Sequence, residues 1–116
     1  CGKIFEGDYK QMFNSITKIK NLPKNTKIYF GHEYTKKNLE FCKKYEFSNE
    51  HLINKENWLN DRYKKNLPSV PITIGEELDT NIFLRCDKSS VKKNLNMQKS
   101  SEEEIFKKLR DLKDSF

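Results

Sequence analysis

The chain has 116 residues, 23 of them Lys or Arg and 17 Asp or Glu, for a formal net charge of +6. That length suits one compact domain or a piece of a larger one. No apolar run approaches the roughly 20 residues of a membrane span, so no membrane partner is expected. The 12% aromatic share argues against full disorder, because rings staple even a thin core.

Residues 1–7 read as an entry turn, with Gly2 and Gly7 around Ile4 and Phe5. Asp8 followed by Gln11 is a capping-box pattern. Tyr9, Met12, Phe13, Ile16 and Ile19 then recur at helical steps, which predicts an amphipathic helix. Asn21-Leu22-Pro23-Lys24-Asn25 breaks it. Thr26 to Phe30 is β-rich, with Thr26, Ile28 and Phe30 on one face and Lys27 and Tyr29 on the other. Gly31-His32 ends that strand. This is one helix–strand unit of an α/β layer without the other strands. Its free edge invites pairing with a second copy of the chain.

Beyond Tyr34 the pattern turns helical, which marks a domain boundary between residues 1–34 and 35–116. Thr35 is expected to cap a helix reaching to about Tyr45, with Leu39, Cys42 and Tyr45 inward. Ser48 or Asn49 caps the next, to about Asn66, with Leu52, Leu59 and Tyr63 on one stripe. Leu67-Pro68-Ser69-Val70-Pro71 signals a turn, and Thr73 to Lys88 reads as irregular. Lys88 to Ser100 is the stretch poorest in aromatic residues and is expected to be a mobile loop. Ser101 and Glu104 form another capping box. The helix behind it carries Ile105, Leu109, Leu112 and Phe116. The expected fold class is α+β, mostly α, with an all-helical C-terminal domain.

Cys1, Cys42 and Cys86 are an odd set without CxxC spacing, which predicts free thiols in a reducing, cytoplasmic setting. The opening on Cys1-Gly2-Lys3 predicts a C-terminal portion of a longer protein.

Gly31-His32-Glu33 is the sharpest local feature for chemistry. A histidine after a short strand and a glycine sits on stiff backbone, and neutral imidazole is a common metal ligand. A partly buried histidine bonded to a neighbour is the other local reading. One imidazole leaves a zinc site short of most of its ligands, and His51 sits on a helix among polar residues. The second feature is Asn81-Ile82-Phe83-Leu84-Arg85, with Lys88 beyond it. Arginine is scarce here beside the abundant lysine. Its planar fork grips a carboxylate in bidentate fashion, and a lysine adds a point charge. An internal pair of Arg85 with a glutamate or a helix C-terminus fits the local residues as well. Cys42 reads as core, and Glu76-Glu77 as a helix start rather than an acid pair.

These residues, in this order, resemble the C-terminal part of glyoxalase II, the hydroxyacylglutathione hydrolase branch of the metallo-β-lactamase fold. Cys1-Gly2-Lys3-Ile4-Phe5-Glu6-Gly7 resembles the family's CGKFYEG-type turn. Gly31-His32-Glu33-Tyr34-Thr35, with Asn38 and Leu39, matches its GHEYT segment. Leu67-Pro68 through Val70-Pro71-Ile72-Thr73-Ile74, with Glu76-Glu77, resembles its proline-flanked stretch. Asn81 to Arg85 resembles its NPFLR motif, with Ile82 in place of the proline.

The resemblance implies that residues 1–34 are the last helix–strand unit of an αββα domain and that residues 35–116 bind glutathione. It implies hydrolysis of S-D-lactoylglutathione to D-lactate and glutathione. Two metal ions, zinc with iron or manganese as alternatives, would hold a bridging hydroxide. It makes His32 a metal ligand and catalytic residue, and it places Lys3, Phe5, Tyr34, Arg85 and Lys88 at substrate-binding positions. The thioester carries two carboxylates and one ammonium, net about −1, which suits those cations. Phe5 stands where the family has Tyr, so one hydrogen bond on the order of 0.5–1.5 kcal/mol is missing. The other metal donors belong to an upstream half, the chain's implied partner, so the chain alone is expected to be inactive and to hold no metal tightly. The +6 charge supports a competing reading as a basic helical module for nucleic acid or an acidic protein. A related glutathione thioester or persulfide metallohydrolase is the third.

Overall fold

The computed structural model describes residues 1–116. Helix α1 (Tyr9–Lys20) begins at the predicted capping box. The Asp8 carboxylate accepts from the Gln11 N–H at 2.9 Å, and the Gln11 side chain accepts from the Asp8 N–H at 3.2 Å. No residue of α1 is fully buried. Met12, Phe13 and Ile16 rest half-buried on the core.

Strand β1 is only Lys27–Ile28, shorter than Thr26–Phe30. It pairs antiparallel with β2 (Ile72–Thr73), Lys27 opposite Thr73 and Ile28 opposite Ile72. The ladder is short because Thr73 leaves it at once to cap a helix. One edge of β1 is thus filled from within the chain, by a segment read as turn and irregular.

Helix α2 (Thr35–Tyr45) is capped by Tyr34 and not by Thr35. The Thr35 hydroxyl is turned inward, 2.5 Å from Ser69 Oγ, so it has no role as a cap. Leu39 and Cys42 are buried as expected, and Phe41, outside the predicted stripe, is fully so. Helix α3 (Glu50–Lys64) is capped by Asn49 and buries Leu52 and Leu59.

The stretch from Thr73 to Ser100 is more ordered than its sequence suggests. Thr73 and Glu76 make a third capping box, which opens α4 (Ile74–Thr80). A 3₁₀ turn follows at Ile82–Leu84, then α5 (Ser89–Asn94) in the segment expected to be a mobile loop. These elements hold because nearly every apolar residue they have is used: Ile74, Ile82 and Val91 are wholly buried. Helix α6 (Glu102–Asp114) starts at the Ser101–Glu104 capping box and buries Ile105, Phe106, Leu109 and Arg110.

A continuous run of rings forms the centre. Phe13, Phe106, Phe83, Phe41 and Phe116 follow one another at centroid distances of 5.6, 5.7, 5.8 and 5.4 Å. Such pairs add about 0.5–1.5 kcal/mol each beyond the area they bury. The run ties α1, α6, the 3₁₀ turn and α2 together, so a chain with little aliphatic bulk keeps one core. The fold class is the expected one: α+β, mostly helical, with a single small sheet. The three cysteines are free, and no helix is long and apolar enough to cross a membrane.

Candidate functional site

A cavity of about 320 Å³ opens where β1 leads into α2. Gly31, His32 and Tyr34 form its mouth, and Asn38, Leu39 and Cys42 of α2 form one wall. Its polar floor is an ion pair. Lys55 Nζ donates to Glu77 at 2.5 Å and to Thr80 Oγ1 at 3.1 Å, while Asn81 donates to the other Glu77 oxygen at 2.7 Å. Nothing local in the sequence announces this floor, because Lys55 comes from α3 and its partners from residues 77–81, more than 20 positions on.

The segment from His32 to Thr35 alternates. His32 and Tyr34 face outward with their rings stacked, centroids 5.5 Å apart and planes within 4°. Glu33 and Thr35 face the turn at Leu67–Pro71. Glu33 accepts from the Tyr63 hydroxyl at 2.9 Å, from Ser69 Oγ at 2.6 Å and from the Ser69 N–H at 3.2 Å. Burial acts to raise the Glu33 pKa, but the hydrogen bonds from Ser69 and Tyr63 outweigh it and hold the carboxyl below the usual glutamate value.

Burial, followed by the hydrogen bond to Glu33, pushes the Tyr63 phenol up to about 12. A tyrosine raised in the folded state stabilises fully below its unfolded value near 10 and loses that contribution as pH rises through the folded value. Alkaline unfolding, followed with phenolate absorbance, is therefore expected to show a step near pH 12 that is absent from Tyr63→Phe.

The Arg85 guanidinium lies away from this cavity and is engaged inside the fold. Nε donates to both Glu46 oxygens at 2.9 Å, Nη2 to Glu46 Oε1 at 2.7 Å and Nη1 to the Leu78 carbonyl at 3.0 Å. Of the two local readings of Arg85, the internal pair with a glutamate is the one this chain displays, with Glu46 1% exposed. The rest of that motif is structural too. Asn81 caps the 3₁₀ turn, and Ile82, Phe83 and Leu84 are all buried. Lys88 is exposed beside Asp87 at 3.7 Å, and Lys3 and Phe5 are exposed on the entry turn. None of the three lines the cavity. His51 is exposed on α3 and also stands apart from it.

Arg110 and Lys113 were not singled out by the sequence. Arg110 is 1% exposed, donates to the Cys1 carbonyl at 2.9 Å and to Asp114 at 2.6 Å, and keeps an unpartnered Nε. Cys1 lines the cavity, so this cation sits just behind its wall. Lys113 lies over the Phe41 and Phe116 rings. Burial, followed by the like charges of Arg110 and Lys37, lowers its pKa. The available signal was periodicity: Phe106, Leu109, Arg110 and Lys113 fall on one helical face, and two cations on a buried stripe are unusual.

The His32 ring makes no hydrogen bond within the chain, so it is free to serve as one donor to a metal such as zinc. No group of three or more His, Cys, Asp or Glu comes together as a metal cluster, so these residues by themselves do not complete such a centre.

The chain is mostly helical and sets one imidazole and one phenol beside a cavity with a polar floor. The particular family is specific. Residues 33–116 match the model of the family described as hydroxyacylglutathione hydrolase C-terminus. The chain is 53% identical over 116 residues to the hydroxyacylglutathione hydrolase of Pelagibacter ubique (strain HTCC1062), covering all of this chain and 43% of that protein. It is 41% identical over 116 residues to that of Bartonella quintana (strain Toulouse), again over all of this chain and 46% of the relative. The chain belongs to this family and spans less than half the length of the curated relatives it matches.

Proposed function

We propose that the chain is the C-terminal part of a metal-dependent thioester hydrolase that converts S-D-lactoylglutathione to D-lactate and glutathione. The observation that carries this reading is the parallel presentation of His32 and Tyr34 beside one cavity, in a family whose relatives are named hydroxyacylglutathione hydrolase. In the complete protein, residues 1–34 would finish a metallo-β-lactamase domain and residues 35–116 would read glutathione. Two metal ions, zinc with iron or manganese as alternatives, belong to that complete site, and His32 supplies one imidazole to it.

This chain's own part is recognition and aim. Tyr34 donates a hydrogen bond to the peptide, two residues from the imidazole. Arg110 and Lys113, beside the Cys1 and Cys42 wall, supply positive potential for the tripeptide carboxylates. Lys3 and Lys88 are exposed and free to add charge at longer range, and Phe5 offers its ring alone. Arg85 contributes by holding the 3₁₀ turn that carries Phe83 into the cavity wall.

The test is hydrolysis by the full-length protein of S-D-lactoylglutathione beside a lactoyl thioester of N-acetylcysteamine, which lacks both carboxylates. Charge-assisted bonds of about 1.5–3 kcal/mol predict a kcat/KM at least about 10-fold higher for the glutathione thioester. Equal efficiency on the two, or no release of D-lactate, rejects the reading.

A further inference from the structure

Neither His32 nor Tyr34 is fixed by a side-chain hydrogen bond of its own, yet their rings lie within 4° of parallel on exposed backbone. What fixes them lies underneath. Between the two rings, Glu33 turns the opposite way and takes three donors: the Tyr63 hydroxyl, the Ser69 hydroxyl and the Ser69 N–H. Ser69 has only one hydroxyl proton. It goes to Glu33 at 2.6 Å, so the Thr35 hydroxyl donates to Ser69 in turn, at 2.5 Å. Glu33, between the two rings, and Thr35, just after Tyr34, are thereby tied to one wholly buried serine.

That serine is itself held. Arg62 reaches across the turn and donates Nε to the Pro68 carbonyl at 2.8 Å and Nη2 to the Val70 carbonyl at 3.0 Å, the two carbonyls that flank Ser69. The Arg62 guanidinium rests on the Trp58 ring at 5.7 Å. The last turn of α3 therefore grips the 67–71 turn from one side with Arg62 and, through Tyr63, grips the Glu33 carboxylate from the other.

We propose that Glu33, with Ser69 and Tyr63, is the positioning device of the site, locking the His32–Thr35 segment to α3 so that imidazole and phenol keep one aim over the cavity. This rests on the reading of His32 and Tyr34 as the working side chains. Glu33 touches neither substrate nor reacting atoms. It acts through its two neighbours, and the alternation of the segment makes it the residue able to do so.

The test uses the full-length protein loaded with zinc, and the variants Glu33→Ala, Glu33→Gln, Ser69→Ala and Tyr63→Phe, with His32→Ala alongside. Three quantities are read: kcat and KM on S-D-lactoylglutathione, the rate at which a chelator removes zinc, and the melting temperature. Glu33→Ala is expected to lower kcat and to speed zinc loss, each by about 10-fold or more, the range found when a group that orients a metal-binding histidine is removed. Glu33→Gln recovers most of both, because its amide oxygen still accepts the two hydroxyl protons. Ser69→Ala and Tyr63→Phe fall between, and they carry the test if Glu33→Ala does not fold. Variants that melt earlier but keep wild-type kcat and zinc retention overturn the proposal, since a purely structural network would behave so. Wild-type activity in His32→Ala overturns the functional reading beneath it, a result separate from the behaviour of Glu33.

Discussion

Replacing Arg85 by Met is expected to lower the stability of the fold by about 3–5 kcal/mol, the range for removing one partner of a buried ion pair. The magnitude follows from what stays behind. Glu46 is 1% exposed, and its other neighbour, the Ser90 hydroxyl, lies at 3.5 Å, too far to satisfy a carboxylate. Without the guanidinium the charge has no adequate partner and no water. The Leu78 carbonyl at the end of α4 loses its donor in the same step. For a chain of this size each kcal/mol moves the melting midpoint by about 4–8 °C, so a fall of roughly 10 °C or more is expected. Arg85→Lys is not expected to restore it, because an ammonium lacks the fork that bonds both carboxylate oxygens and the carbonyl together. The double variant Arg85→Met with Glu46→Met should regain much of the loss, since the stranded charge is gone. Thermal unfolding of the four proteins checks this. A midpoint within about 2 °C of wild type for Arg85→Met would show that the pair does not hold the fold.

Changing His32 to Ala in the full-length protein should have the opposite profile. The fold is expected to be unchanged, because the ring is exposed and stacks on another exposed ring, that of Tyr34. Activity is expected to fall by at least about 100-fold in kcat/KM. Groups that merely orient a metal-binding histidine are worth 10–100-fold, and the histidine itself stands closer to the chemistry. The matched control is His51→Ala, exposed on α3 and absent from the cavity lining, which should change nothing. Steady-state kinetics with circular dichroism on each variant decide it. Activity of His32→Ala within about threefold of wild type would remove the imidazole from the mechanism.

The sequence was most informative where the physics is local. The capping boxes at Asp8–Gln11 and Ser101–Glu104 join residues three positions apart, and both helices start there. The acidic pair Glu76-Glu77 marks a helix start and does lie in the first turn of α4, while the Thr73–Glu76 capping box that opens it sits in polar, turn-rich surroundings that read as irregular. Helix α5 has one fully buried residue, Val91, too little for any periodicity to show. His32 stood out locally because it follows a short strand and a glycine, while Tyr34 came from the GHEYT resemblance alone. What held them was not legible, since Glu33 and Ser69 are 36 positions apart. Arg85 shows the same limit. Its motif announced a carboxylate partner correctly, but the identity of that carboxylate is decided by Glu46, 39 residues earlier. Periodicity places Arg110 on the same face of α6 as Phe106 and Leu109, whereas Lys113 is one of many lysines and its pattern carries little signal.

Gly31 borders the imidazole, and a methyl group built there would meet nothing within 4 Å. The interior therefore gains nothing from a bare backbone at that point, and alanine would fit without complaint from its neighbours. The space beside the ring is open, so any change in activity of Gly31→Ala in the full-length protein would report on what enters that space and not on the packing of this chain.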